Sequence, residues 1–474
     1  MKILLSHSYF LPLDPKEEAN HKPYPPLAPL YLSALIRQET GIQCRFYDVM
    51  FEKNVSGLRA EIESYQPDIV LIYDDDFNWL TKMCLQNMRS AIIDLVKNKI
   101  PGVIYIAHGS DASDQAEFYL KSGFDYIIHR NAEGIVLQFL QLLKNQKEKI
   151  SVLKSLSYLE NGKTISTKIN TAQDWIEKIP VADWKSINLN PYREIWQKHH
   201  RFFSLNISTA HGCPYRCNWC AKPLYGRSYK LRPAEIIADE FKIISEKLGA
   251  DHVWVTDDIF GLNPKWLNQF ADEIEKHDRT VPYKIQARAD LMDEEYVANL
   301  KRSGCEEVWL GAESGSQRIL DAMDKDTSIG QIKTAAKLLK NAKIKTAFFL
   351  QYGYPGETWT DIKLTLQLVQ QCVPDAIGIS VSYPLPGTEF YKNVEHELKS
   401  KKNWDDSGDL ALMYSGEHPA EFYRTLHKYT HHYFGFISLK RKQPFGKFVR
   451  RFAAQYRHIP GMIFYRLAMQ KYLS

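Results

Sequence analysis

Three cysteines in one short stretch have the spacing of a metal-binding loop. Cys213, Cys217 and Cys220 are separated by three and then two residues, so all three thiolates can point toward one iron-sulfur cube. A cube held by only three cysteines keeps one iron open, and an open iron binds a small molecule. The alternative is a zinc site in which His211, just before Cys213, supplies the fourth ligand.

The position of these cysteines favours iron and sulfur over zinc. Residues 204–209 alternate like a β-strand, which places the cysteines in a loop at a strand's C-terminal end. Parallel barrels carry their chemistry at that end. Because Trp219 directly precedes the last cysteine, the stretch resembles the signature of the radical S-adenosylmethionine (SAM) superfamily. The resemblance implies a [4Fe-4S] cluster on Cys213, Cys217 and Cys220, with SAM as a second cofactor.

Six strand patterns separated by helical patterns surround this loop. Between residues 201 and 390 they predict a partial (β/α)6 TIM-type barrel, open on one side, which matches the superfamily fold. The predicted strands are 205–209, 252–256, 284–287, 307–312, 346–352 and 376–383.

Polar residues that follow these strands are expected to line a site. Asp257 follows the second strand, Arg288 the third, and Glu313 and Ser314 the fourth. The resemblance implies that these four residues, together with Tyr215 and Trp219, bind SAM. Asp258 and Glu357 are weaker candidates, and helix capping or an exposed loop is the alternative for each carboxylate. The glycines of 352–358 and 384–388 let backbone approach the adenine or the substrate closely.

The N-terminal region predicts a second α/β unit. Residues 1–148 alternate strands, at 3–6, 44–49, 69–73, 103–107 and 126–129, with helices, at 29–38, 80–96, 113–121 and 133–143. This pattern indicates a Rossmann-like, doubly wound parallel sheet. No Gly-x-Gly-x-x-Gly follows the first strand, so a dinucleotide is not indicated. Residues 149–200 are predicted to be a linker with a hairpin around Asn161-Gly162.

The N-terminal unit also resembles the cobalamin-binding domain that precedes many radical SAM barrels. The matching segments are 25–32, Asp48, 67–70, 108–113 and 131–134. The resemblance implies that His108, Gly109, Ser110 and Asp111 contact cobalamin. Because the chain has no Asp-x-His-x-x-Gly, cobalamin is expected to bind without a protein histidine below the cobalt. The alternative for the whole unit is a Rossmann-like domain that binds no corrin. The alternative for His108 is a packed, hydrogen-bonded side chain without a ligand. The acidic run Asp74, Asp75 and Asp76 is expected to form a solvated loop.

Composition narrows the class of protein. The chain has 474 residues, a net charge of +5, seven cysteines and no apolar run long enough to span a bilayer. The first residues indicate a strand and not a signal peptide, and the odd cysteine count does not indicate a disulfide framework. We therefore expect a reduced, cytoplasmic protein, in which Cys44, Cys84, Cys305 and Cys372 are buried small residues.

The C-terminal region, 391–474, is predicted to be helical and basic. From Lys440 to Ser474 there are nine Lys or Arg and no Asp or Glu. Between Pro444 and Pro460, aromatic residues occupy one side of a helical wheel and basic residues the other. Such a helix lies on an anionic membrane surface or docks its aromatic face on the barrel. The pattern of residues 420–436 predicts a helix whose histidines, at 427, 431 and 432, lie on a solvent-exposed face. The sequence does not indicate nucleic-acid binding.

These features together resemble the class B radical SAM methyltransferases. The resemblance implies a 5'-deoxyadenosyl radical that removes hydrogen from an unactivated carbon, followed by methyl transfer from methylcobalamin. It also implies a small or lipid-like substrate and an electron donor such as flavodoxin or ferredoxin. A cobalamin-dependent oxidative cyclase or rearrangement enzyme is the alternative activity. A non-catalytic cobalamin sensor or carrier is a third possible function. A methylthiotransferase is disfavoured because only Cys44 and Cys84 precede the barrel.

Overall fold

The computed structural model describes residues 1–74, 85–130, 132–145, 150–169, 175–220, 228–277, 280–398, 403–410, 412–439 and 457–473. The first five strands form a parallel sheet in the order β2-β1-β3-β4-β5. Their central members are buried along almost their whole length, as expected for strands with both faces covered. The strands are β1 (Lys2–Ser6), β2 (Gln43–Phe46), β3 (Ile69–Tyr73), β4 (Ile104–His108) and β5 (Tyr126–Ile128).

Seven described helices accompany this sheet. They are α1 (Pro15–Asn20), α2 (Leu27–Thr40), α3 (Ser56–Tyr65), α4 (Gln86–Lys97), α5 (Ser110–Asp114), α6 (Ala116–Ser122) and α7 (Glu133–Asn145). The sequence pattern missed α3, because only Leu58, Ile62 and Tyr65 of that helix are buried. The single helix predicted over 113–121 is two helices, since the backbone of Gln115 leaves the helical conformation. The start of the predicted helix 80–96 lies outside the described residues.

The hairpin predicted around Asn161 is confirmed, and it belongs to the first sheet. Strands β6 (Leu156–Glu160) and β7 (Lys163–Ser166) pair antiparallel with each other, and β6 pairs antiparallel with β5. The hairpin therefore covers the β5 edge of the sheet. The proposed domain boundary at residue 148 stays a prediction, and α8 (Asn190–His200) leads into the barrel.

The barrel has the six predicted strands in one parallel sheet, which confirms the α/β fold class. The sheet order is β15-β14-β13-β12-β11-β8, so β15 and β8 are its edges and the barrel is open between them within the described residues. A separate two-stranded antiparallel ribbon is formed by β9 (Ala210–His211), which follows β8 in the chain, and β10 (Lys230–Leu231). The six strands are β8 (Ser204–Ile207), β11 (His252–Val255), β12 (Tyr283–Ala287), β13 (Cys305–Glu313), β14 (Lys345–Tyr352) and β15 (Ala376–Val381).

Several of the helices that cover the barrel begin at residues whose side chains cap them. The Asn263 side chain accepts from the backbone of Lys265, and Ser328 and Thr358 each form a capping box that satisfies free backbone N–H groups. The barrel helices are α9 (Ala234–Lys242), α10 (Pro264–Ile274), α11 (Glu294–Arg302), α12 (Gln317–Ala322), α13 (Ile329–Asn341), α14 (Trp359–Cys372) and α15 (Glu389–Val394).

Two helices form the described C-terminal region. Helix α16 (Ala420–Leu439) confirms the helix predicted over 420–436, and α17 (Ile459–Gln470) packs against it. The expected solvated histidine face is wrong in part, because His427 and His432 are half-buried and only His431 is exposed. The basic amphipathic helix predicted between Pro444 and Pro460 lies mostly outside the described residues. Among the helices described, none combines the length and the hydropathy needed to cross a membrane.

A buried polar network joins the two α/β units. Arg232 and Glu240 of the barrel form an ion pair at 2.8 Å and are essentially inaccessible to solvent. The hydroxyl of Tyr31, on α2, accepts from Arg232 Nη1 at 2.7 Å, and Arg232 also donates to the carbonyl of Ser208, at the end of β8. The network therefore fixes the first sheet's α2 against the strand that leads into the cysteine loop.

A second contact runs from the C-terminal side of the barrel back to the first unit. Residues 403–409 lie against α4 and the chain's start: the backbone N–H of Gln86 donates to Trp404 O at 2.9 Å, and Ser407 Oγ donates to Asp14 Oδ1 at 2.7 Å. Trp404 is buried against Tyr383, which follows β15. We call residues 403–409 the strap.

Candidate functional site

Asp257 fixes the entrance of the cysteine loop. Its Oδ1 accepts from the backbone N–H groups of Thr209 and Ala210, at 2.7 and 3.1 Å, and from Ser208 Oγ at 3.1 Å. Burial raises the pKa of this carboxyl to about 6, while the hydrogen bonds from Thr209 work in the opposite direction. Asp257 therefore holds the chain just before the cysteines, and its predicted contact with SAM stays a prediction.

Asn218, between the second and third cysteines, anchors the loop to the rest of the barrel. Its amide donates to Ala322 O at 2.8 Å and to the Asp324 carboxylate at 3.0 Å, and its Oδ1 accepts from Tyr354 OH at 3.0 Å. Its backbone N–H donates to Met323 O, and its carbonyl accepts from the N–H of Phe390. The Asn218 side chain thus connects the loop with the segments that follow β13 and β14, and its backbone carbonyl connects the loop with the segment after β15.

Trp219 lies over a small apolar cluster separate from the main core, formed by Ile319, Met323, Tyr354, Phe390, Val394 and Tyr414. Its indole Nε1 is buried and has no hydrogen-bond partner among the described residues. The ammonium of Lys325 lies 5.8 Å from the ring centroid. A buried donor without a partner is costly, so this nitrogen is available to a bound ligand.

Arg288, which follows β12, lies directly beside the cysteines. Its Nη1 donates to Cys217 Sγ at 3.7 Å, and its guanidinium stacks on the ring of Tyr215 at 3.6 Å. Asp290 and the Lys325 carbonyl, at 2.8 and 2.7 Å, hold the guanidinium in place. The bonds to Asp290 and to the Lys325 carbonyl therefore hold a positively charged group against the second cysteine of the loop.

Glu313 ends β13 at an irregular point of the sheet. The β13–β14 register shifts between Gly311 and Glu313, and Glu313 has a positive φ of 54°. Its Oε1 accepts from Lys325 Nζ at 2.9 Å, and both side chains are buried. A Cβ at Gly311 would lie 2.6 Å from that ammonium, so the glycine makes room for the pair.

Ser314 has no access to solvent. Its hydroxyl lies 3.2 Å from Thr365 Oγ1 and accepts from the N–H of Ser316 at 3.1 Å, while Ser316 Oγ donates to Asp361. The predicted contact between Ser314 and SAM stays a prediction, since these bonds attach the start of α12 to α14. Glu357 is buried as well: its carboxylate accepts from the N–H of Gly353 at 2.6 Å, and burial raises its pKa to about 8.

The residues around the loop fit a cluster and SAM by their chemistry. Cys213 is buried, Cys217 and Cys220 are half-buried, and all three are free thiols. Within the described ranges, no three His, Cys, Asp or Glu side chains are gathered as metal ligands, so the thiols share a loop but do not converge. The guanidinium on Cys217 and the unpartnered Trp219 nitrogen are the observations that favour an iron-sulfur cluster with a small-molecule ligand.

The interior of the barrel is lined by aromatic side chains. On β11 to β15, alternate residues that face inward are only half-buried, which indicates open space: Trp254, Lys284, Gln286, Trp309, Gly311, Phe349, Gly378 and Ser380. The Trp309 and Phe349 rings are 4.7 Å apart, and a Cβ at Gly378 would lie 3.1 Å from Trp309. We call this space the lumen. Burial lowers the pKa of Lys284, which lies over the Trp254 ring, to about 8.

The four residues predicted to contact cobalamin lie at the end of β4 and directly after it: His108 is the last residue of the strand, and residues 109–111 follow it. His108 stacks on Tyr73 with centroids 4.1 Å apart, and its Nε2 lies 3.0 Å from Arg130 O. Asp111 is engaged in an ion pair with Arg89 and accepts from Tyr119 OH at 2.7 Å. The Ser110 hydroxyl, by contrast, is buried with no partner among the described residues.

The expectation that the acidic run forms a solvated loop is wrong for Asp74. It is buried, not solvated, and its Oδ1 accepts from the N–H of Ser8 at 2.9 Å, while Asp75 and Asp76 lie outside the described residues. Burial raises the pKa of Asp74 to about 6. Gly109 has φ 135°, and a Cβ there would lie 2.6 Å from Asp74 Oδ2, so only glycine fits beside it.

The C-terminal edge of the first sheet has the features of a ligand crevice. In the order β2-β1-β3-β4-β5 the switch point lies between β1 and β3, where open α/β sheets bind their ligands. Ser6, which ends β1, and Ser110, after β4, both have buried hydroxyls without partners in the described part of the chain. The residues present therefore fit a polar cofactor at this edge.

Sequence reasoning missed several residues of the site. Asn218 lies inside the cysteine motif, but nothing in its type distinguishes it from a solvated loop residue. Lys325 follows a helix and Lys284 lies within a strand, and neither position carries a sequence signal. Only the fold brings them to the cysteine loop and the lumen.

Comparison with known proteins identifies the barrel. Residues 207–369 match the family model described as the Radical SAM superfamily. The chain is 24% identical to an uncharacterized methyltransferase of Pyrococcus horikoshii, over 80% of this chain and 81% of the relative. It is 22% identical to the anaerobic magnesium-protoporphyrin IX monomethyl ester cyclase of Rubrivivax gelatinosus, over 79% and 67% of the two chains. The recognition of a radical SAM domain is confirmed.

Two solved structures are similar to this chain in fold across both α/β units. The cobalamin-dependent S-adenosylmethionine radical enzyme OxsB, with aqua-cobalamin bound, has a TM-score of 0.73 and 16% identity, covering 98% of this chain and 72% of that one. The radical S-adenosylmethionine methyltransferase TsrM from Kitasatospora setae, with cobalamin and a [4Fe-4S] cluster bound, has a TM-score of 0.69 and 16% identity, over 83% and 78%. These likenesses establish the fold of both units.

Proposed function

We propose that this chain, whose barrel is a radical SAM domain, is a cobalamin-dependent radical SAM methyltransferase that acts on an unactivated carbon. The observation that carries the proposal is the cysteine loop at the C-terminal end of the barrel sheet, with the Arg288 guanidinium on Cys217. The names of the similar proteins support methylation as the chemistry.

In this proposal the cysteine loop holds the cluster and SAM. Cys213, Cys217 and Cys220 supply the iron ligands, and Asp257 and Asn218 hold the two ends of the loop. Lys325, paired with Glu313, places a buried ammonium near Trp219, where it suits the carboxylate of SAM. When bound, the cluster supplies the electron for reductive cleavage of SAM.

The crevice of the first sheet holds cobalamin in this proposal. Ser6 and Ser110 offer unpartnered hydroxyls, and Gly109 and Asp74 set the backbone of the β4 turn. When bound, cobalamin supplies the methyl group. The His108 ring stacks on Tyr73 and so packs the end of β4, beside the residues that would hold cobalamin.

The lumen suits an apolar substrate. Trp254, Trp309 and Phe349 present ring surface, and the bond from Trp309 Nε1 to Glu307, at 2.6 Å, fixes one of the rings. Aromatic walls exclude water, which protects a radical from side reactions. A small or lipid-like molecule with an apolar reacting carbon is therefore the proposed substrate class.

The test is product analysis with the anaerobically reconstituted protein. We expect release of 5'-deoxyadenosine, and transfer of label from the SAM methyl group to a product in cell extract. Cys217→Ser abolishes both, whereas Cys372→Ser, a half-buried cysteine on α14 far from the loop in sequence, leaves both unchanged. Zero 5'-deoxyadenosine from protein with a filled cluster would contradict the proposal and favour a cobalamin sensor or carrier.

A cobalamin-dependent oxidative cyclase is the second candidate, because one of the similar proteins is named a cyclase. The same labelling experiment separates the two functions. A product without label but with a rearranged skeleton identifies the cyclase, and a labelled product identifies the methyltransferase.

Two partners complete the proposal. A reduced carrier such as flavodoxin or ferredoxin supplies the electron, which is tested by replacing chemical reductant with that protein and measuring 5'-deoxyadenosine. An anionic membrane surface is the partner of the basic C-terminal region, whose last 35 residues carry no acidic side chain.

A further inference from the structure

Helix α17 exposes a continuous apolar stripe. Ile463, Phe464 and Leu467 are 56%, 65% and 59% exposed, and Pro460, one turn earlier, is exposed too. The spacing i, i+3, i+4, i+7 places all four on one face of the helix. We call these four residues the α17 stripe.

The opposite face of α17 is attached to the protein. Met469 is buried, the Arg466 guanidinium lies 4.3 Å from the centroid of the Trp359 ring, and His458 Nδ1 lies 3.3 Å from His432 Nδ1 on α16. These contacts fix the rotation of the helix about its axis. The stripe is therefore held outward by packing, on a helix about 18 Å long.

The charge around the stripe identifies its partner. Arg457 and Lys471, at the two ends of α17, are exposed, and no acidic residue occurs from position 440 to the end of the sequence. An apolar face with cations at both ends is the pattern of a helix that lies in the plane of an anionic bilayer. An apolar protein partner has no need of this uniform positive charge.

We infer that the α17 stripe docks this protein on an anionic lipid surface, with Ile463, Phe464 and Leu467 inserted among the acyl chains and Arg457 and Lys471 at the headgroups. This names the element that makes the membrane contact proposed above. The element differs from the helix predicted between Pro444 and Pro460. Docking brings the enzyme to a substrate that resides in the bilayer.

The test is flotation of the full-length protein with vesicles of phosphatidylcholine, with and without phosphatidylglycerol. We expect binding to the anionic vesicles that weakens as salt increases. The variant I463S/F464S/L467S binds at least about tenfold more weakly, because three apolar side chains no longer leave water. Phe118→Ser, at an exposed aromatic residue on α6, is the matched control and binds like the wild type.

A second pair of variants separates charge from apolar insertion. R457Q/K471Q loses preference for anionic over neutral vesicles, and F464S alone, at a 65% exposed side chain, gives a smaller loss with the fold intact. Equal binding by wild type and both stripe variants would overturn the inference. A stripe variant that changes only the molar mass in light scattering would assign the stripe to a contact between two copies of this chain.

Vesicle binding does not depend on radical chemistry. A protein that releases 5'-deoxyadenosine but ignores anionic vesicles refutes the docking surface alone. A protein that binds vesicles but releases none refutes the enzymatic proposal alone.

Discussion

Replacing Asn218 by alanine tests whether one side chain holds the cysteine loop in its ligating position. The change removes two donated bonds, to Ala322 O and to the Asp324 carboxylate, and the bond accepted from Tyr354 OH. Buried neutral hydrogen bonds contribute about 1 kcal/mol each and charged ones about 2 kcal/mol, so the loop loses about 3 kcal/mol once partial rehydration is allowed for. The backbone bonds of residue 218 to Met323 and Phe390 remain.

The assay is the rate at which a chelator removes iron from the reconstituted, reduced protein, together with the iron content and the electron paramagnetic resonance spectrum. A loss of about 3 kcal/mol in loop closure corresponds to roughly a hundredfold more of the open loop. We therefore expect iron to leave Asn218→Ala at least about tenfold faster than the wild type.

Two variants control for general destabilisation. Tyr354→Phe removes only the hydroxyl that donates to Asn218 and Ala322, so its effect is intermediate. Asn268→Ala, at an exposed amide bonded to Asp272 on α10, leaves iron loss unchanged. If iron left Asn218→Ala at the wild-type rate, the reasoning that this side chain organises the loop would be refuted.

Three further predictions concern stability. The pKa of Glu357 is raised from 4.5 to about 8, so its contribution to the free energy of unfolding is present below its ordinary pKa and is lost as pH rises toward 8. Urea unfolding of the wild type therefore shows a free energy of unfolding that falls by up to about 1.4 kcal/mol per pH unit in this range, and Glu357→Gln removes that dependence. Arg232→Met leaves the buried carboxylate of Glu240 without its ion-pair partner and lowers the free energy of unfolding by about 3–5 kcal/mol. Arg302→Met, at an exposed ion pair, lowers it by less than about 1 kcal/mol in the same measurement. Gly109→Ala places a Cβ 2.6 Å from Asp74 Oδ2 at a positive φ, so we expect a lower melting temperature and weaker binding of aqua-cobalamin by spectral titration; an unchanged titration would contradict the proposed crevice.

The parts of the fold that could be predicted are those in which hydrophobic patterning decides. The six barrel strands begin and end within one or two residues of their predicted positions. Each is a short segment rich in apolar residues that follows a helix, and such a segment is readily recognised in the sequence. Helix α3 was missed because only three of its ten residues are buried, which leaves little periodic signal. The hairpin at Asn161-Gly162 was found from its turn, but its place on the β5 edge depends on pairing far along the chain.

The site was predictable only where a residue type is rare. Three cysteines at fixed spacing carry a clear sequence signal, and the structure places the strand-end residue Arg288 beside them. Strand-end position did not reveal the hydrogen bonds of Asp257 and Ser314 to neighbouring backbone groups. For all three residues the contact with SAM stays a prediction. For Asp74, a run of acids indicated solvent, yet the residue at the strand end is buried beside Gly109, because the β4 turn passes directly over it.

The contacts of the strap with the N-terminal unit can form only late in synthesis of the chain. Asp14 and Gln86 leave the ribosome early, but their partners, Ser407 and Trp404, are synthesised only after the barrel strands. The N-terminal unit therefore lacks these contacts to α4 until the whole barrel and the strap have been synthesised. Until then the backbone N–H of Gln86 and the Asp14 carboxylate lack their strap partners, so correct folding of the N-terminal unit is completed only after the barrel has formed.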